Sequence, residues 1–354
     1  MTAIVPIILS GGAGSRLWPV STHAQPKQFH ALGGEKTMFA QTLARVASSN
    51  AVSFCAPIVV CGASHEANVV AELAEAQQGD ATLILEPLAR NTAPALAAAA
   101  LVQCERDPEA LLLVLPADHV ITYPQGLHAA CALAMGAAQD GKIVLFAIVP
   151  DSPATGYGYI KRGEAIIDDV YSVAAFVEKP DLATAEGYLT SGDYAWNAGI
   201  FFFKAAALID ELARHAPEIL AAARLAVSHA ERDGQAIRLN HDAFASAPAK
   251  SIDYAVLELT SHAAVVPVEM GWNDVGSFAT LWDIGDKDDA GNVTSGKVAL
   301  FDSQDCLVRG NDVPIALIGV SDLIVVVTDN GIVIAPKDRA QDVRLAAEAF
   351  GKKA

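Results

Sequence analysis

The stretch Ile7-Ile8-Leu9-Ser10-Gly11-Gly12-Ala13-Gly14-Ser15-Arg16-Leu17-Trp18-Pro19 decides how the rest of the chain is read. It begins inside an apolar run, Ala3 to Leu9, that reads as a β-strand. It then turns through Gly11, Gly12 and Gly14 and delivers Arg16 one turn later. A glycine-rich turn after a strand lets backbone N–H groups approach phosphate oxygens with no Cβ in the way. Neither common phosphate loop fits. The pattern G-x-G-x-x-G would need glycine at Leu17, and no Gly-Lys-Ser/Thr follows. An arginine in the loop, with Pro26-Lys27-Gln28-Phe29 soon after, points instead to nucleotidyl transfer onto a sugar phosphate. The plainer alternative is an ordinary strand-to-helix turn.

The chain has 354 residues, 52% of them hydrophobic, and a formal net charge of −17. That length exceeds what one hydrophobic core usually serves, so one large domain plus a smaller one is expected. No apolar run reaches the roughly 18 residues of a bilayer span, and the N-terminus lacks a signal-peptide pattern. A cytoplasmic protein with no membrane partner is expected. The acidic balance also disfavours nucleic acid as a partner. It still permits an anionic small substrate, because a few local cations and oriented N–H groups can dominate a cleft. The cysteines, Cys55, Cys61, Cys104, Cys131 and Cys306, are odd in number and form no C-x-x-C pair. They read as free thiols, mostly buried.

To about residue 150, strands alternate with helices. The strand signals are Ala3 to Leu9, Pro57 to Cys61, Thr82 to Glu86, Leu111 to Leu115 and Lys142 to Ala147. Helical patterns lie between them, including the alanine-rich run from Ala93. This predicts a mostly parallel sheet with helices on both faces, whose ligands bind beyond the carboxyl ends of the strands. From 150 to 260 the pattern is mixed: strands at Val170 to Glu178 and Gly199 to Phe203, and helices including Ile252 to Leu259. After about Gly285, turn dipeptides separate short β-branched runs at 298–301, 307–309, 315–318, 323–328 and 332–335. These suggest a small β-domain with one or two turns of a β-helix, closed by a helix over 339–350.

Several polar constellations punctuate this frame. Asp118, in Pro116-Ala117-Asp118-His119, follows a very apolar strand and suits Mg²⁺, which takes one or two carboxylates plus phosphate oxygens and water. A helix N-cap is the alternative. Asp274, in Gly271-Trp272-Asn273-Asp274-Val275-Gly276-Ser277, is a second metal carboxylate or a cap of the next helix. Glu178 and Lys179 end a strand, and neighbours on a strand point to opposite faces, so they need not pair. One would meet a sugar hydroxyl and the other a phosphate. Asn197 offers donor and acceptor together. Thr155-Gly156-Tyr157-Gly158-Tyr159 is a close-approach glycine pair or a plain hairpin turn. Glu86, Asn91 and Thr92 precede the alanine-rich helix; Asn91 or Thr92 would cap it, or its N-terminus would face a nucleotide. No nucleophile set stands out.

Together these segments resemble the bacterial-type mannose-1-phosphate guanylyltransferase (GDP-mannose pyrophosphorylase) family. The matching stretches are L-S-G-G-A-G-S-R-L-W-P, P-K-Q-F, L-E-P-L-A-R-N-T-A-P-A, V-L-P-A-D-H-V-I, T-G-Y-G-Y-I, F-V-E-K-P-D, Y-A-W-N-A-G-I-F, K-S-I-D-Y-A-V-L-E and G-W-N-D-V-G-S, in that order, with G-V-S-D-L-I-V-V-V-T later. The resemblance implies an α/β fold: a Rossmann-like, GT-A-like mixed sheet over residues 1–285, then a small left-handed β-helix-type domain with a terminal helix over 286–354. It implies Mg²⁺, and the formation of GDP-mannose and pyrophosphate from GTP and mannose 1-phosphate. Carried over by motif, Ser10, Gly11, Gly12, Gly14 and Arg16 hold the triphosphate, and Lys27 offsets charge on the leaving pyrophosphate. Asp118 and Asp274 hold the metal, while Glu86, Asn91 and Thr92 lie near the guanosine. Glu178 and Asn197 bind mannose hydroxyls, Lys179 binds the sugar phosphate, and Gly156 belongs to that same subsite. Exposed strand edges in the β-domain, with the resemblance, imply a homodimer. Many relatives carry a further isomerase domain past about residue 350, so no phosphomannose isomerase activity is expected here. Transfer between glucose 1-phosphate and UTP, or a non-catalytic sugar-nucleotide sensor, are the rival readings.

Overall fold

The computed structural model describes residues 3–12 and 14–350. Its chain divides into two compact units. One comprises residues up to Gly11, Thr42–Ala117 and Ile121–Trp272; the other comprises Gly12–Gln41, Asp118–Val120 and the chain from Asn273 onward. No helix among the described residues is long and apolar enough to cross a membrane. None of the five cysteines is in a disulfide; Cys61, Cys131 and Cys306 are buried and Cys55 is exposed.

The first unit is built on one mixed sheet. Its parallel part runs Thr82–Glu86, Ile58–Gly62, Ala3–Ser10, Leu111–Pro116. Leu111 to Leu115 shows why such strands read as continuous apolar runs. Leu112 and Val114 enter one core and Leu111, Leu113 and Leu115 the other, so both faces are covered. The register sets Ser10 opposite Cys61 and Gly62 opposite Glu86, which gathers the strand ends along one edge. The Thr92–Cys104 helix is buried from Ala93 through Gln103. A helix apolar on every side belongs inside, and its small residues let helices 205–215 and 217–228 lie against it.

The remainder of the sheet brings in antiparallel strands, so the whole is the mixed sheet that the family resemblance implies. Tyr194–Lys204 runs antiparallel between Leu111–Pro116 and Ile143–Ile148. A strand was expected only from Gly199, because the register shifts between Asn197 and Phe201 and Gly199 takes φ +67°. That irregularity breaks the alternation by which Tyr194 to Asn197 would have been read as strand. Gly158–Ile167 pairs antiparallel with Val170–Glu178, and its polar, exposed outer half had concealed it. Its inner end also pairs with Tyr194 to Trp196. Five strands therefore close on themselves, in the order 194–204, 143–148, 263–267, 170–178 and 158–167. The helix expected over 252–259 is instead one wide turn, Asp253–Leu257, in which the Glu258 N–H donates to the Asp253 carbonyl at 3.0 Å.

The second unit stacks short strands as a β-helix does. Val293–Ser295, Leu307–Arg309 and Leu323–Thr328 pair in parallel, with Val293, Leu307 and Ile324 in one register. Val298–Phe301 and Ile315–Ile318 form a second parallel ladder. Asn292 turns a corner between them, donating to the Ser303 carbonyl at 3.0 Å and accepting from the Cys306 N–H at 3.0 Å. Gly331–Pro336 then folds back antiparallel on Leu323–Thr328. The expected terminal helix begins as a tight turn, Lys337–Asp342, and becomes α-helical over Val343–Phe350. Leu17, Trp18 and Val20 share a core with Leu307, Ile324, Val326 and Val333. Trp18 also stacks on Phe350 with ring centroids 5.4 Å apart.

Candidate active site

Ser10 is not in the glycine loop. It is the last residue of the Ala3–Ser10 strand and is buried, because its backbone still pairs with the neighbouring strand. The chain then opens. A Cβ at Gly11 or Gly12 would meet nothing within 4 Å, and Gly12 has φ +92°. Gly14 combines φ +54° with crowding, since a Cβ there would lie 2.7 Å from Ser21 Oγ and 3.1 Å from Lys27 Cβ. Only glycine fits both conditions. Arg16 follows on a short turn, exposed, and donates to Gln341 Oε1 at 3.1 Å.

Lys27, Asp118 and Asp274 come together within the second unit. The Lys27 ammonium is 2.9 Å from Asp118 Oδ2 and donates to the Asp274 carbonyl at 2.8 Å. A third, longer contact of 3.5 Å reaches the Val275 carbonyl. Burial alone would raise the Asp118 carboxyl, but the charges of Lys27 and His119 overcome it and hold it below the usual range. Asp118 does not cap a helix, because a short strand, Val120–Ile121, follows it. Asp274 does not cap one either. Its Oδ1 accepts from the Gly276 N–H at 3.1 Å, while Ser277 caps Phe278–Ile284 through a reciprocal pair with Thr280. Between them Val275 takes φ +49°, a conformation rare for a β-branched residue.

Glu178, Lys179 and Asn197 come together within the first unit. Contrary to the expectation from strand alternation, Lys179 Nζ pairs with Glu178 Oε1 at 2.8 Å. The strand ends at Glu178, and Lys179 takes φ +48°, which turns its side chain back. Asn197 donates from Nδ2 to Asp253 Oδ1 at 3.2 Å. Gly156 lies open, whereas a Cβ at Gly158 would sit 2.7 Å from Glu178 Oε2 and 3.1 Å from the Phe176 ring. Gly158→Ala is therefore expected to lower stability by about 1–3 kcal/mol, and Gly156→Ala to be neutral. Urea midpoints of the two variants measure the contrast, and equal midpoints would refute it.

Glu86 ends its strand half-buried with no partner for Oε1, and burial pushes its carboxyl up to about 7. Asn91 caps the alanine-rich helix, accepting from the Thr92 N–H at 2.8 Å with φ +66°. Thr92 Oγ1 accepts from the Ile252 N–H at 2.9 Å, tying the helix start to the segment that carries Asp253. The sequence set Gly158 beside Gly156 in a candidate close-approach pair, but Asp253 was not singled out as a site residue. The signal for Asp253 was present: one acid inside the apolar run Ile252-Asp253-Tyr254-Ala255-Val256-Leu257.

Comparison with known proteins agrees with this architecture. The nucleotidyl transferase family model matches residues 5–291, and the MannoseP isomerase/GMP-like beta-helix domain model matches 296–348. The alginate biosynthesis protein AlgA of Pseudomonas aeruginosa is 44% identical, over 96% of this chain and 71% of its own. A mannose-1-phosphate guanylyltransferase of Klebsiella pneumoniae is 42% identical, over 98% of this chain and 73% of its own. A crystal structure of a protein named mannose-1-phosphate geranyltransferase, from Thermus thermophilus, superposes with a TM-score of 0.85 at 30% identity. It covers 98% of this chain and 99% of its own. By fold and by sequence over nearly its whole length, the chain belongs to the nucleotidyl transferase family and has mannose-1-phosphate guanylyltransferases among its relatives.

Proposed function

We propose that the chain makes GDP-mannose and pyrophosphate from GTP and mannose 1-phosphate. The observation that carries the substrates is the near-full-length likeness to a relative named for that activity. The Lys27, Asp118 and Asp274 cluster carries the chemistry. A phosphate oxygen of the sugar phosphate attacks the α-phosphorus of GTP. The new P–O bond forms as the bond from that phosphorus to the bridging oxygen breaks, and pyrophosphate leaves with the electron pair. The attacking oxygen is already ionised, so no general base or enzyme nucleophile is required. The work left to the protein is positioning two anions and neutralising their charge.

The donor set fits magnesium. Among the described residues no group of three or more His, Cys, Asp and Glu is arranged to hold a metal. Asp118 and Asp274 are two hard carboxylates on residues that Lys27 ties together, the first by its carboxylate and the second by its backbone carbonyl, and two is the number magnesium takes when phosphates and water fill its remaining positions. Bound there, the ion supplies neutralisation of phosphate charge. Gly11, Gly12 and Gly14 offer backbone N–H groups to the triphosphate beside Ser10, Arg16 adds an exposed cation, and Lys27 supports the leaving group. Glu86, Asn91 and Thr92 serve the guanosine end. Glu178 and Asn197 take sugar hydroxyls with Gly156 alongside, and Lys179 takes the phosphate. Residues 1–285 act as the transferase domain and 286–354 as a small β-domain; the working form is a cytoplasmic homodimer that engages neither nucleic acid nor membrane.

The test is pyrophosphate release with GTP, magnesium and a panel of hexose 1-phosphates, each component omitted in turn. Release requiring both GTP and mannose 1-phosphate is expected, and release with another pair alone would overturn the assignment. Lys179→Ala should then raise KM for mannose 1-phosphate about tenfold or more with KM for GTP little changed. The reverse pattern would move Lys179 to the nucleotide.

A further inference from the structure

Asp253 is an acid that the reaction as described leaves without work. It lies half-buried at the start of the wide turn Asp253–Leu257, on a segment anchored through Ile252 to Thr92. Wide turns of this kind are often found at functional sites. The Asp253 carboxylate fixes the Asn197 amide. Nδ2 donates to Asp253 Oδ1 at 3.2 Å while Asn197 Oδ1 accepts from the Gly199 N–H at 3.1 Å. A primary amide held at both ends has one orientation and keeps one N–H to offer a ligand oxygen. Beside it, Glu178 is buried against Gly158 and keeps Oε2 as an acceptor.

The charges around Asp253 show that its place is not cheap. Burial first, and the Glu178 carboxylate second, push its carboxyl up to about 6; Ser251 and Lys179 pull the other way. Burial would lower the Lys179 ammonium, yet Glu178 and Asp253 together raise it. Two carboxylates thus face one lysine.

We propose that Asp253 is a positioning residue for hexose recognition. By fixing the Asn197 amide it makes the sugar subsite present one donor, Asn197 Nδ2, and one acceptor, Glu178 Oε2, in set directions that suit neighbouring hydroxyls. The proposal rests on the sugar-phosphate reading given above. Its discriminating consequence is sugar selectivity, which depends on amide orientation, rather than nucleotide binding, which does not.

The experiment compares wild type, Asp253→Ala and Asp253→Asn in steady-state kinetics, with thermal melts to confirm folding. Asp253→Ala should raise KM for the hexose 1-phosphate about ten- to a hundredfold. KM for GTP should stay within about twofold, and the preference for mannose over glucose 1-phosphate should shrink. Asp253→Asn keeps an acceptor for Asn197 and should recover most of that loss. Equal changes in both KM values, an unchanged KM in folded Asp253→Ala, or an asparagine variant no better than alanine would overturn the proposal. Failure of wild type to use mannose 1-phosphate would instead overturn the substrate assignment. The three proteins are then compared on whichever hexose 1-phosphate of the panel supports turnover, and the same KM ratios decide the role of Asp253.

Discussion

Asp274→Ala should lower turnover about a thousandfold or more while the protein stays folded. Metal-assisted charge stabilisation is worth several kcal/mol, and about 4 kcal/mol corresponds to that factor. The fold loses little. Asp274 Oδ1 accepts from the Gly276 N–H, and the helix that follows starts from its own Ser277–Thr280 cap. One such hydrogen bond contributes about 1 kcal/mol. Lys27 reaches this residue through its backbone carbonyl, which alanine keeps. Pyrophosphate release at saturating magnesium, beside a urea melt, separates the two effects. Turnover near that of wild type would remove Asp274 from the metal site.

Lys27→Met should lose both activity and stability, and a second substitution should return only one of them. The ammonium compensates the Asp118 carboxylate at 2.9 Å and ties down the carbonyls of Asp274 and Val275. Breaking a buried pair from one side costs about 3–5 kcal/mol, because the remaining charge has lost its partner. The Asp118 carboxyl, now held low chiefly by Lys27, should rise towards the protonated form. Adding Asp118→Asn removes the stranded charge, so the double variant should regain much of the stability and none of the turnover. A double-mutant cycle on urea midpoints measures the coupling. Additive losses would mean that Lys27 and Asp118 do not sustain each other.

What could be read from the sequence follows from how local each feature is. The strands 298–301, 307–309, 315–318 and 323–328 were legible to the residue, because short runs of polar and glycine residues, such as Gly310-Asn311 and Asp329-Asn330-Gly331, separate them. Their regular spacing suggested a turn or two of β-helix, and likeness to a family supported it; the register of the parallel ladders was not legible. Tyr194–Lys204 was half legible: Phe201 to Phe203 alternate into two cores, but the irregularity at Gly199 hides the first five residues. The motif chemistry at Lys27, Asp118 and Asp274 was visible, yet the identity of the helix cap was not. Asp274 and Ser277 both suit that role by type, and only the backbone between them chooses Ser277. Glu178 and Lys179 were separated by the two-residue period of strands and reunited by one positive φ beyond the strand's end. Asp253 stood out as one acid in an apolar run, but its pairing with Asn197, 56 positions away, was not legible.

The shared core of the second unit has a bearing on biosynthesis. Leu17, Trp18 and Val20, just after the glycine loop, are translated long before the side chains that pack on them. The side chains that bury them, Leu307, Ile324, Val326 and Val333, arrive only after the entire mixed sheet has been translated. Pro19 likewise waits for Thr328 and Asn330, which hydrogen-bond to its carbonyl. A nascent chain can therefore assemble its parallel strands early and still have the segment behind its phosphate loop unsecured. Arg16 waits longest, for Gln341, so a stalled polypeptide would carry nearly every motif of the enzyme while the segment behind its phosphate loop still lacked its packing.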